Sequence, residues 1–311
     1  MGKTILLTGA SGFIGSHVLG QALKSGYNVC AVIRPQSDLW RIKHLLSDSH
    51  LKTYGDKKED IEKIFLEQKI DCVVHLAAKY LKQHSSVTEA EELMEANVVF
   101  PNMLLETMRQ HNVRSIVTAG SFFEYDLSGN KELSEKSALK PYNLYARTKL
   151  ILHDMLKDYA QWFGFSCIHL RLFSTYGPKD NEKLFSYLIN NLLKKQKIQL
   201  TPSEQQWNFT YVSDVAAAFM LAIERCLSVK PGCEVFNIGQ KKAVSIKNIV
   251  KILENQLAIY DLVSYDKPYS TNEVFYVSCA VKKAKKDLGW VAKTDIEEGL
   301  RKTLDFYISK L

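Results

Sequence analysis

The sequence lacks the features that would assign it to a membrane, a secretory route or a disulfide scaffold. It has no apolar run long enough to span a bilayer, and it enters a β-like run at once, without a signal-peptide pattern. Its six cysteines include no C-x-x-C pair, and most lie in apolar segments. We therefore expect a cytoplasmic protein with reduced, buried thiols, no membrane partner and no metal site.

The sequence also lacks a concentrated basic region. The formal net charge is +7, but Lys and Arg are interspersed with acids, as in residues 57–60. A nucleic-acid-binding surface would cluster its basic residues, so we expect no nucleic-acid partner, and a mildly basic surface suits a small anionic substrate. With 311 residues, 46% of them hydrophobic, the chain is long enough for one large domain or two that share a core.

Closely spaced glycines follow the first apolar run. Ile5 to Leu7 predict a buried strand, glycines follow at positions 9, 12 and 15, and residues 16–24 show a helical pattern. Such a strand, turn and helix suit a pyrophosphate, because the chain turns sharply, its backbone approaches the anion and the helix N-terminus points N–H groups at it. The alternative is a purely structural turn. The cofactor contacts predicted here are Gly9, Ser11, Gly12, Phe13, Ile14 and Gly15.

The second predicted strand, residues 27–33, has no acid at its end. NAD-binding units of this kind carry an Asp or Glu there, whereas an arginine nearby holds a 2′-phosphate. No acid occurs between residues 24 and 37, and Arg34 directly follows the strand. Its guanidinium offers several donors to a phosphate. We predict NADP(H) as the cofactor, with NAD(H) as the alternative if Arg34 is only a solvated charge.

Further apolar runs alternate with helical patterns over the first 170 residues. The runs are 51–54, 71–78, 114–119 and 166–172, and the helical patterns are 61–68, 88–111 and 143–163. This alternation predicts an α/β fold with a Rossmann-type doubly wound parallel sheet, whose strand ends converge on one crevice. Asp56 lies where a side chain could meet the adenine edge. We expect His75, at another strand end, to be a packed histidine.

Tyr145 and Lys149 are four residues apart in a predicted helix and therefore share a face. A lysine ammonium beside a tyrosine favours the phenolate, so we expect the pKa of Tyr145 to fall from its usual value of about 10. Tyr145 could then exchange a proton with a substrate oxygen that Ser121 also binds. Hydride would come from a nicotinamide, since no side chain supplies one. These three residues are the predicted catalytic residues.

In this order the motifs resemble the extended short-chain dehydrogenase/reductases that act on nucleotide sugars. The resemblance covers essentially the whole chain: residues 8–15, 75–78, 97–98, the Ser121, Tyr145 and Lys149 set, 170–178, 209–216, 235–239 and 288–290. It implies a Rossmann domain (residues 1–172 and 209–240), a smaller, discontinuous C-terminal substrate domain (173–208 and 241–311) and a nucleotide sugar between them. It also implies a homodimer formed by helices 88–111 and 143–163.

The resemblance extends the predicted site beyond the glycine turn. It implies cofactor contacts for Leu76, Ala77, Ala78, Asn97, Tyr145 and Lys149. It implies substrate contacts for Lys79, Phe122, Phe123, Ser174 and Trp207.

Departures from the family pattern narrow the expected activity. The family's 4,6-dehydratases carry an Asp-Glu pair after the active-site Ser or Thr, and the epimerase/reductases that invert C3 and C5 carry a Cys there. Phe122 and Phe123 occupy these positions, and neither ring transfers a proton. The Phe pair is similar to reductases that make 3,6-dideoxyhexoses such as CDP-abequose.

We therefore expect an NADPH-dependent reductase of a 4-keto group on a deoxysugar nucleotide. NADP(H) favours this reading because a C4 epimerase must return the hydride and normally keeps NAD bound. The alternatives are an NAD-dependent C4 epimerase or dehydrogenase of a nucleotide sugar, and a non-catalytic, cofactor-sensing protein on the same fold.

The residues that contact the substrate phosphates in the family are largely replaced. Trp207 stands where the family has an arginine, Ser174 replaces a frequent asparagine, and the second arginine would fall near Ser270. Trp207 is either a substrate contact or a packing residue. The candidates to compensate for the missing charges are Lys183, Arg225 and Lys267.

Overall fold

The computed structural model describes residues 2–129, 132–180, 183–270 and 273–310. The strands are β1 (Thr4–Thr8), β2 (Asn28–Val32), β3 (Leu51–Tyr54), β4 (Cys72–His75), β5 (Ser115–Ser121), β6 (Glu132–Leu133), β7 (Ser166–Leu172), β8 (Thr175–Tyr176), β9 (Ile198–Gln199), β10 (Gln206–Trp207), β11 (Thr210–Tyr211), β12 (Gly232–Ile238), β13 (Val244–Ser245), β14 (Val263–Ser264) and β15 (Ser278–Cys279). The α-helices are α1 (Phe13–Lys24), α2 (Lys58–Glu67), α3 (Val87–Met94), α4 (Phe100–Gln110), α5 (Leu144–Phe163), α6 (Leu184–Leu193), α7 (Val212–Ser228), α8 (Ile246–Leu257) and α9 (Ile296–Ile308).

Seven strands of the described chain form one parallel sheet in the order β12-β7-β5-β4-β1-β2-β3. The sheet grows outward in two directions from β1, so the strand order reverses between β1 and β4. In open α/β sheets such a reversal leaves a crevice at the carboxyl ends of the strands, where ligands bind. The predicted doubly wound α/β fold is confirmed, and the glycine turn after β1 lies at this crevice.

Helices cover both faces of the sheet because successive strand residues point to opposite sides. In β1, Ile5 and Leu7 pack into the cluster that contains residues of α1 and α7, whereas Leu6 packs into the opposite cluster, with α2, α4 and α5. All three side chains are fully buried. The two clusters fasten the crossover helices to the sheet and hold the strand ends of the crevice in place.

The remaining helices, α6, α8 and α9, pack on one another around a separate apolar cluster that includes Leu188, Leu253 and Leu300. Short strand pairs, β9 with β14 and β10 with β13, lie in the same region. Residues of β12 return from this part of the chain to the central sheet. The division into two domains stays a prediction.

The cysteines and the lengths of the helices bear on two expectations from composition. All six cysteines are free thiols, and only Cys233 is more than slightly exposed. Among the residues whose positions are described, no helix has both the length and the apolar character needed to cross a bilayer.

Several element boundaries differ from the predicted ones for identifiable reasons. Helix α1 begins at Phe13 rather than at residue 16, because Gly12 takes the extended N-cap conformation. Strand β4 ends at His75 rather than at residue 78, because the Ala77 amide donates to the Thr8 hydroxyl instead of continuing a strand ladder.

The predicted helix 88–111 is three consecutive segments, α3, a π-helical turn at Glu95–Val99 and α4. Pro101 lies in the first turn of α4, where it has no N–H to donate. A π turn of this kind shifts the helix face locally and often marks a functional position. Here it turns Asn97 into the protein interior, where its side chain is 1% exposed.

Candidate active site

The turn after β1 is shaped by two glycines that no other residue could replace without movement. Gly9 has φ +74°, and a Cβ there would lie 2.6 Å from the Ala77 nitrogen. A Cβ on Gly15 would collide with the carbonyl oxygen of Gly9. Helix α1 starts without a side-chain cap at Gly12 and has no acid in its first turn. Free amides at a helix N-terminus fit a pyrophosphate, so the turn has the shape that the predicted cofactor requires.

Thr8 ties this turn to the end of β4. Its hydroxyl accepts hydrogen bonds from the amides of Leu76 and Ala77, both at 3.2 Å, and lies 2.8 Å from Nδ1 of His75. His75 is 1% exposed, and burial lowers its pKa to about 3, with the charge of Lys149 acting in the same direction. The histidine is neutral and packed, as predicted. Thr8 was not among the predicted contacts, although it opens the glycine motif.

A cavity of about 490 Å³ lies beyond β2 and β3. Arg34, which is exposed, lines it together with Ser37, Tyr54 and Gly55. The predicted contact Asp56 directly follows this lining and is half-buried. The cavity has the position expected for an adenosine, and Ser37 and Tyr54 are additional polar residues that the strand pattern did not single out.

Asn97 anchors the segment that follows β4. Its Oδ1 accepts from the Lys79 amide at 2.8 Å, and its Nδ2 donates to the Lys79 carbonyl at 2.9 Å and to the Thr148 hydroxyl at 3.0 Å. Both amide hydrogens are thus used within the protein. Asn97 therefore shapes the crevice by holding backbone in place. The Lys79 ammonium forms an ion pair with Glu92.

Ser121 ends β5 and caps the 3₁₀ helix Phe122–Glu124. Its Oγ accepts from the Phe123 amide at 3.2 Å, and its own amide donates to Oε1 of Glu124 at 2.7 Å. This reciprocal pair is a capping box. Glu124 was not predicted as a site residue, although the spacing Ser-x-x-Glu is the sequence signature of such a box.

Tyr145 and Lys149 lie on the first turns of α5, which Asn143 caps by accepting from the Ala146 amide at 2.8 Å. The Lys149 ammonium lies 5.8 Å from the centroid of the Tyr145 ring. Burial lowers the pKa of Lys149 to about 8, although the Glu124 carboxylate opposes this.

The expected fall in the pKa of Tyr145 is wrong for the chain by itself. Burial raises this pKa, and the charge of Glu124 and the neighbouring Tyr80 raise it further. The physical reason is that burial penalises the phenolate more than an ammonium 5.8 Å from the ring centroid favours it. Tyr145 is therefore a neutral phenol around neutral pH.

Tyr80 lies against Tyr145 on the side of the crevice. The two rings meet edge to face with centroids 4.8 Å apart, and Tyr80 is 44% exposed. The ammonium of Lys183, at the N-terminus of α6, lies 5.2 Å from the Tyr80 ring centroid. Contacts therefore run from α5 across the segment after β4 to the helices of the C-terminal region.

The sequence profile of the NAD dependent epimerase/dehydratase family matches residues 5–239, more than half of the chain. The chain belongs to this family. It is accordingly an NAD(P)-dependent enzyme of the extended short-chain dehydrogenase/reductase type, as its motifs predicted.

Relatives in the epimerase/dehydratase family span the whole chain. The sequence is 27% identical over 308 residues to a putative UDP-glucose 4-epimerase of Methanocaldococcus jannaschii and to a CDP-abequose synthase of Salmonella muenchen, covering 97% of this chain and of each relative. A solved UDP-glucuronic acid 4-epimerase of Bacillus cereus, in complex with UDP-glucuronic acid and NAD, superposes with a TM-score of 0.89 at 25% identity. It covers 99% of this chain and 100% of its own. The putative UDP-glucose 4-epimerase and the CDP-abequose synthase are thus equally similar in sequence.

In this family member, the residues after Ser121 form an aromatic wall. Phe122 is 3% exposed, and its ring centroid is 4.1 Å from that of Phe123. Phe123 stacks on Tyr142 at 5.3 Å, and Trp207 meets both phenylalanines edge to face. The Trp207 indole N–H donates to the Val274 carbonyl at 2.7 Å, so Trp207 packs. Neither phenylalanine ring of this wall can transfer a proton.

The three cations considered for the substrate phosphates lie in different places. Arg225 forms a two-bonded pair with Glu234, at 2.6 and 2.8 Å, so its charge is already compensated. Lys267 lines a separate cavity of about 500 Å³ together with residues of β9 and β14. Of the three, Lys183 is the one that contacts a residue of the crevice, Tyr80. Ser174 is half-buried, and its carbonyl accepts from the Thr210 amide at 3.0 Å.

Proposed function

We propose that this enzyme reduces a 4-keto group on a deoxysugar nucleotide with NADPH. The observation that carries the proposal is the set of groups around Ser121 and Tyr145. A neutral phenol and a hydroxyl stand beside an aromatic wall, and the nearby carboxylate of Glu124 is bound to Arg171 at 2.7 Å. The positions that hold an acid and a base in an elimination site carry Phe122 and Phe123 instead, so Tyr145 is the proton donor that we assign among the described residues.

The proposed roles follow from the hydrogen bonds. The Phe123 amide occupies an acceptor site of Ser121 Oγ, so the serine O–H is left to donate to a substrate carbonyl oxygen. Tyr145 would give its proton to the same oxygen, and its raised pKa keeps that proton in place until the reaction. Lys149 would hold the nicotinamide ribose and contribute positive charge. When bound, the nicotinamide supplies the hydride.

Support for NADP(H) comes from the second strand. Arg34 lines the cavity beyond β2 and β3, and the strand end carries no carboxylate to bind ribose hydroxyls. The turn at Gly9 and the free N-terminus of α1 would hold the pyrophosphate. Lys183, beside Tyr80, would approach the substrate phosphates in place of the missing arginines.

A C4 epimerase working with NAD is the second candidate, since the sequence is as similar to a putative UDP-glucose 4-epimerase as to a CDP-abequose synthase. Titrating the protein with NADP(H) and NAD(H) separates the two functions. A clear preference for NAD(H), with interconversion of C4 epimers and no net cofactor oxidation, would favour the epimerase.

The decisive variant is Tyr145→Phe. We expect it to bind NADPH like the parent protein but to lose about 10²–10⁴-fold in kcat for a 4-keto-6-deoxysugar nucleotide, because the proton donor is gone. The measurement is the rate of NADPH oxidation, followed by the loss of absorbance of the reduced nicotinamide. Tyr187→Phe, on the exposed part of α6, is the matched control. Near-parental turnover of Tyr145→Phe would remove the phenol from the mechanism.

We further propose a cytoplasmic homodimer that associates through α3, α4 and α5. Val87 on α3, Val99 on the π-helical turn before α4 and Trp162 on α5 are 75, 50 and 62% exposed. Exposed apolar side chains on neighbouring helices are typical of a contact surface. The free thiols suit a reducing compartment.

A further inference from the structure

We propose that Glu124 is a positioning residue for this reaction, whose buried carboxylate fixes the backbone of Ser121 and favours the protonated forms of Tyr145 and Lys149. The inference rests on the proposed roles of those three residues. Glu124 itself is placed behind the reacting groups and acts through them.

The first observation is that the carboxylate is fully buried and fully bonded. Oε1 accepts from the Ser121 amide at 2.7 Å and lies 3.2 Å from Nε2 of His169, and Oε2 accepts from Arg171 Nε at 2.7 Å. The side chains of Glu124 and His169 are 0% exposed and that of Arg171 is 1% exposed. Burial alone would raise the pKa of Glu124, but these donors outweigh it and lower the pKa to about 2.

The second observation is how closely the backbone is shaped around this carboxylate. A Cβ on Gly120 would lie 2.5 Å from Oε1 of Glu124 and would also collide with the His169 ring. Gly120 directly precedes Ser121 at the end of β5. The carboxylate therefore sets the position of the serine through two consecutive residues of the same strand end.

The third observation is the network behind the carboxylate. His169 is neutral and bridges two groups. Its Nε2 donates to Glu124, and its Nδ1 accepts from the Thr118 hydroxyl at 2.7 Å. Its ring stacks on His153 of α5, with centroids 5.0 Å apart, and His153 Nδ1 lies 3.4 Å from Arg171 Nη2. His153 is one helical turn after Lys149. The network thus joins β5, β7 and α5, which carry or support the three reacting groups.

Among the groups that shift the pKa values of Tyr145 and Lys149, Glu124 is the one that carries a negative charge. Tyr145 is affected by Glu124 and Tyr80, and Lys149 by Glu124. The other titratable neighbours are His75 on β4, His169 and Arg171 on β7, and His153 on α5. Burial lowers the pKa of each of these histidines, so they are neutral near pH 7. A carboxylate stabilises both the neutral phenol and the ammonium, so its loss lowers both pKa values.

The test uses Glu124→Gln, which removes the charge, keeps one oxygen that can accept from the Ser121 amide, and puts an NH2 group in place of the oxygen that accepts from Arg171. Reduction needs Tyr145 protonated and Lys149 charged, so activity falls as pH rises through their pKa values. We expect the alkaline limb of the kcat profile to move down by about 1 pH unit or more, which is the size of shift that loss of a nearby buried charge produces. Glu234→Gln, which breaks a peripheral pair with Arg225, is the control and should leave the limb in place. An unshifted limb in folded Glu124→Gln would overturn the proposed charge effect.

Glu124→Asp separates position from charge. It keeps the buried pair charged but shortens the reach to the Ser121 amide, so we expect the parental alkaline limb with a kcat about 10–100-fold lower, as misplaced catalytic groups cost. It also serves if Glu124→Gln does not fold. Parental kcat in folded Glu124→Asp would overturn the positioning role.

A measurement without substrate distinguishes this inference from the proposed function. The ultraviolet absorbance of the phenolate, titrated in the parent and in Tyr145→Phe, gives the ionisation of Tyr145 by difference. Repeating the pair in the Glu124→Gln background should show ionisation at lower pH. If no keto-sugar nucleotide oxidises NADPH but the ionisation shifts, the proposed function fails while the charge effect of Glu124 stands. An unchanged ionisation would overturn that effect.

Discussion

Arg34 is the residue on which the proposed cofactor preference depends. It is exposed at the rim of the cavity beyond β2 and β3, and Ser37 lies in the same lining. A guanidinium binds a phosphate with charge-assisted hydrogen bonds, whereas a ribose hydroxyl gains little from it.

We therefore predict that Arg34→Ala weakens NADPH binding about 10–100-fold, the equivalent of roughly 1.5–3 kcal/mol for lost hydrogen bonds to a charged group. NADH binding should change little. Isothermal titration with both cofactors measures the two effects. Arg301→Ala, on the exposed side of α9, is the control. Equal weakening for NADH and NADPH would mean that Arg34 does not read the 2′-phosphate.

Tyr145 shows why the placement of a side chain could be predicted better than its pKa. The i, i+4 spacing with Lys149 correctly put the two side chains on one helix face. The direction of the pKa shift depended on burial and on Glu124, which arrives from the end of β5. The spacing of a helix contains no information on what packs against it.

Helix α1 contains two glycines with opposite expected effects. Gly15 lies where a Cβ would meet the backbone of Gly9, whereas a Cβ at Gly20 would meet only Leu45 Cδ1 at an ordinary 3.8 Å. Backbone atoms cannot move aside as a flexible side chain can, so the first position is closed to any side chain and the second is open.

We predict that Gly15→Ala lowers the free energy of unfolding by about 1–3 kcal/mol or more through overpacking. Gly20→Ala should raise it by about 0.5–1 kcal/mol, because alanine loses less backbone entropy in a helix than glycine. Urea unfolding followed by circular dichroism measures both. Equal effects of the two substitutions would contradict the close packing of α1 on the turn after β1.

The π-helical turn between α3 and α4 is the element whose form the periodicity did not reveal. A single π turn shifts the helix face over only a few residues, so the apolar pattern of residues 88–111 still looked like one helix. Tertiary contacts select the π turn, since it brings Asn97 to the Lys79 backbone and the Thr148 hydroxyl. The resemblance implies a cofactor contact for Asn97, which stays a prediction, and in the structure its side chain binds the Lys79 backbone and the Thr148 hydroxyl.

Buried histidines make the stability of the molecule depend on pH. His75 and His153 are 1 and 5% exposed, and burial lowers the pKa of each to about 3. In the unfolded chain a histidine titrates near about 6.5, so below that pH the unfolded state binds protons that the folded state does not. The stability from these residues is present above about pH 6.5 and is lost as pH falls toward 3.

We predict that the free energy of unfolding rises with pH near pH 5, and that the two histidines together contribute roughly 2–3 kcal/mol per pH unit to this slope. His153→Gln should reduce the slope by about half of that amount. His84→Gln, at an exposed position, should leave it unchanged. Urea unfolding at a series of pH values gives the slopes. A parental slope in His153→Gln would show that this histidine is protonated in the folded protein.

The proposed dimer depends on an exposed apolar surface that spans two helical regions. We predict that Val99→Glu shifts the protein from dimer to monomer in light scattering coupled to size exclusion, because a charge would be buried at the contact. Leu66→Glu, at a side chain 76% exposed on α2, is the matched control. A dimer that persists in Val99→Glu would place the contact elsewhere.

Local patterns in the sequence were sufficient to predict the parallel sheet, the glycine turn and the helix that carries Tyr145 and Lys149. Each depends on neighbours within a few residues, such as an apolar run, a glycine spacing or a helical repeat. The partners of Glu124, the π turn at Asn97 and the direction of the Tyr145 pKa were decided by the tertiary structure. Burial and charge at a residue depend on every segment that packs against it, and such segments can be distant in the chain, as Asn97 and Thr148 are, 51 residues apart.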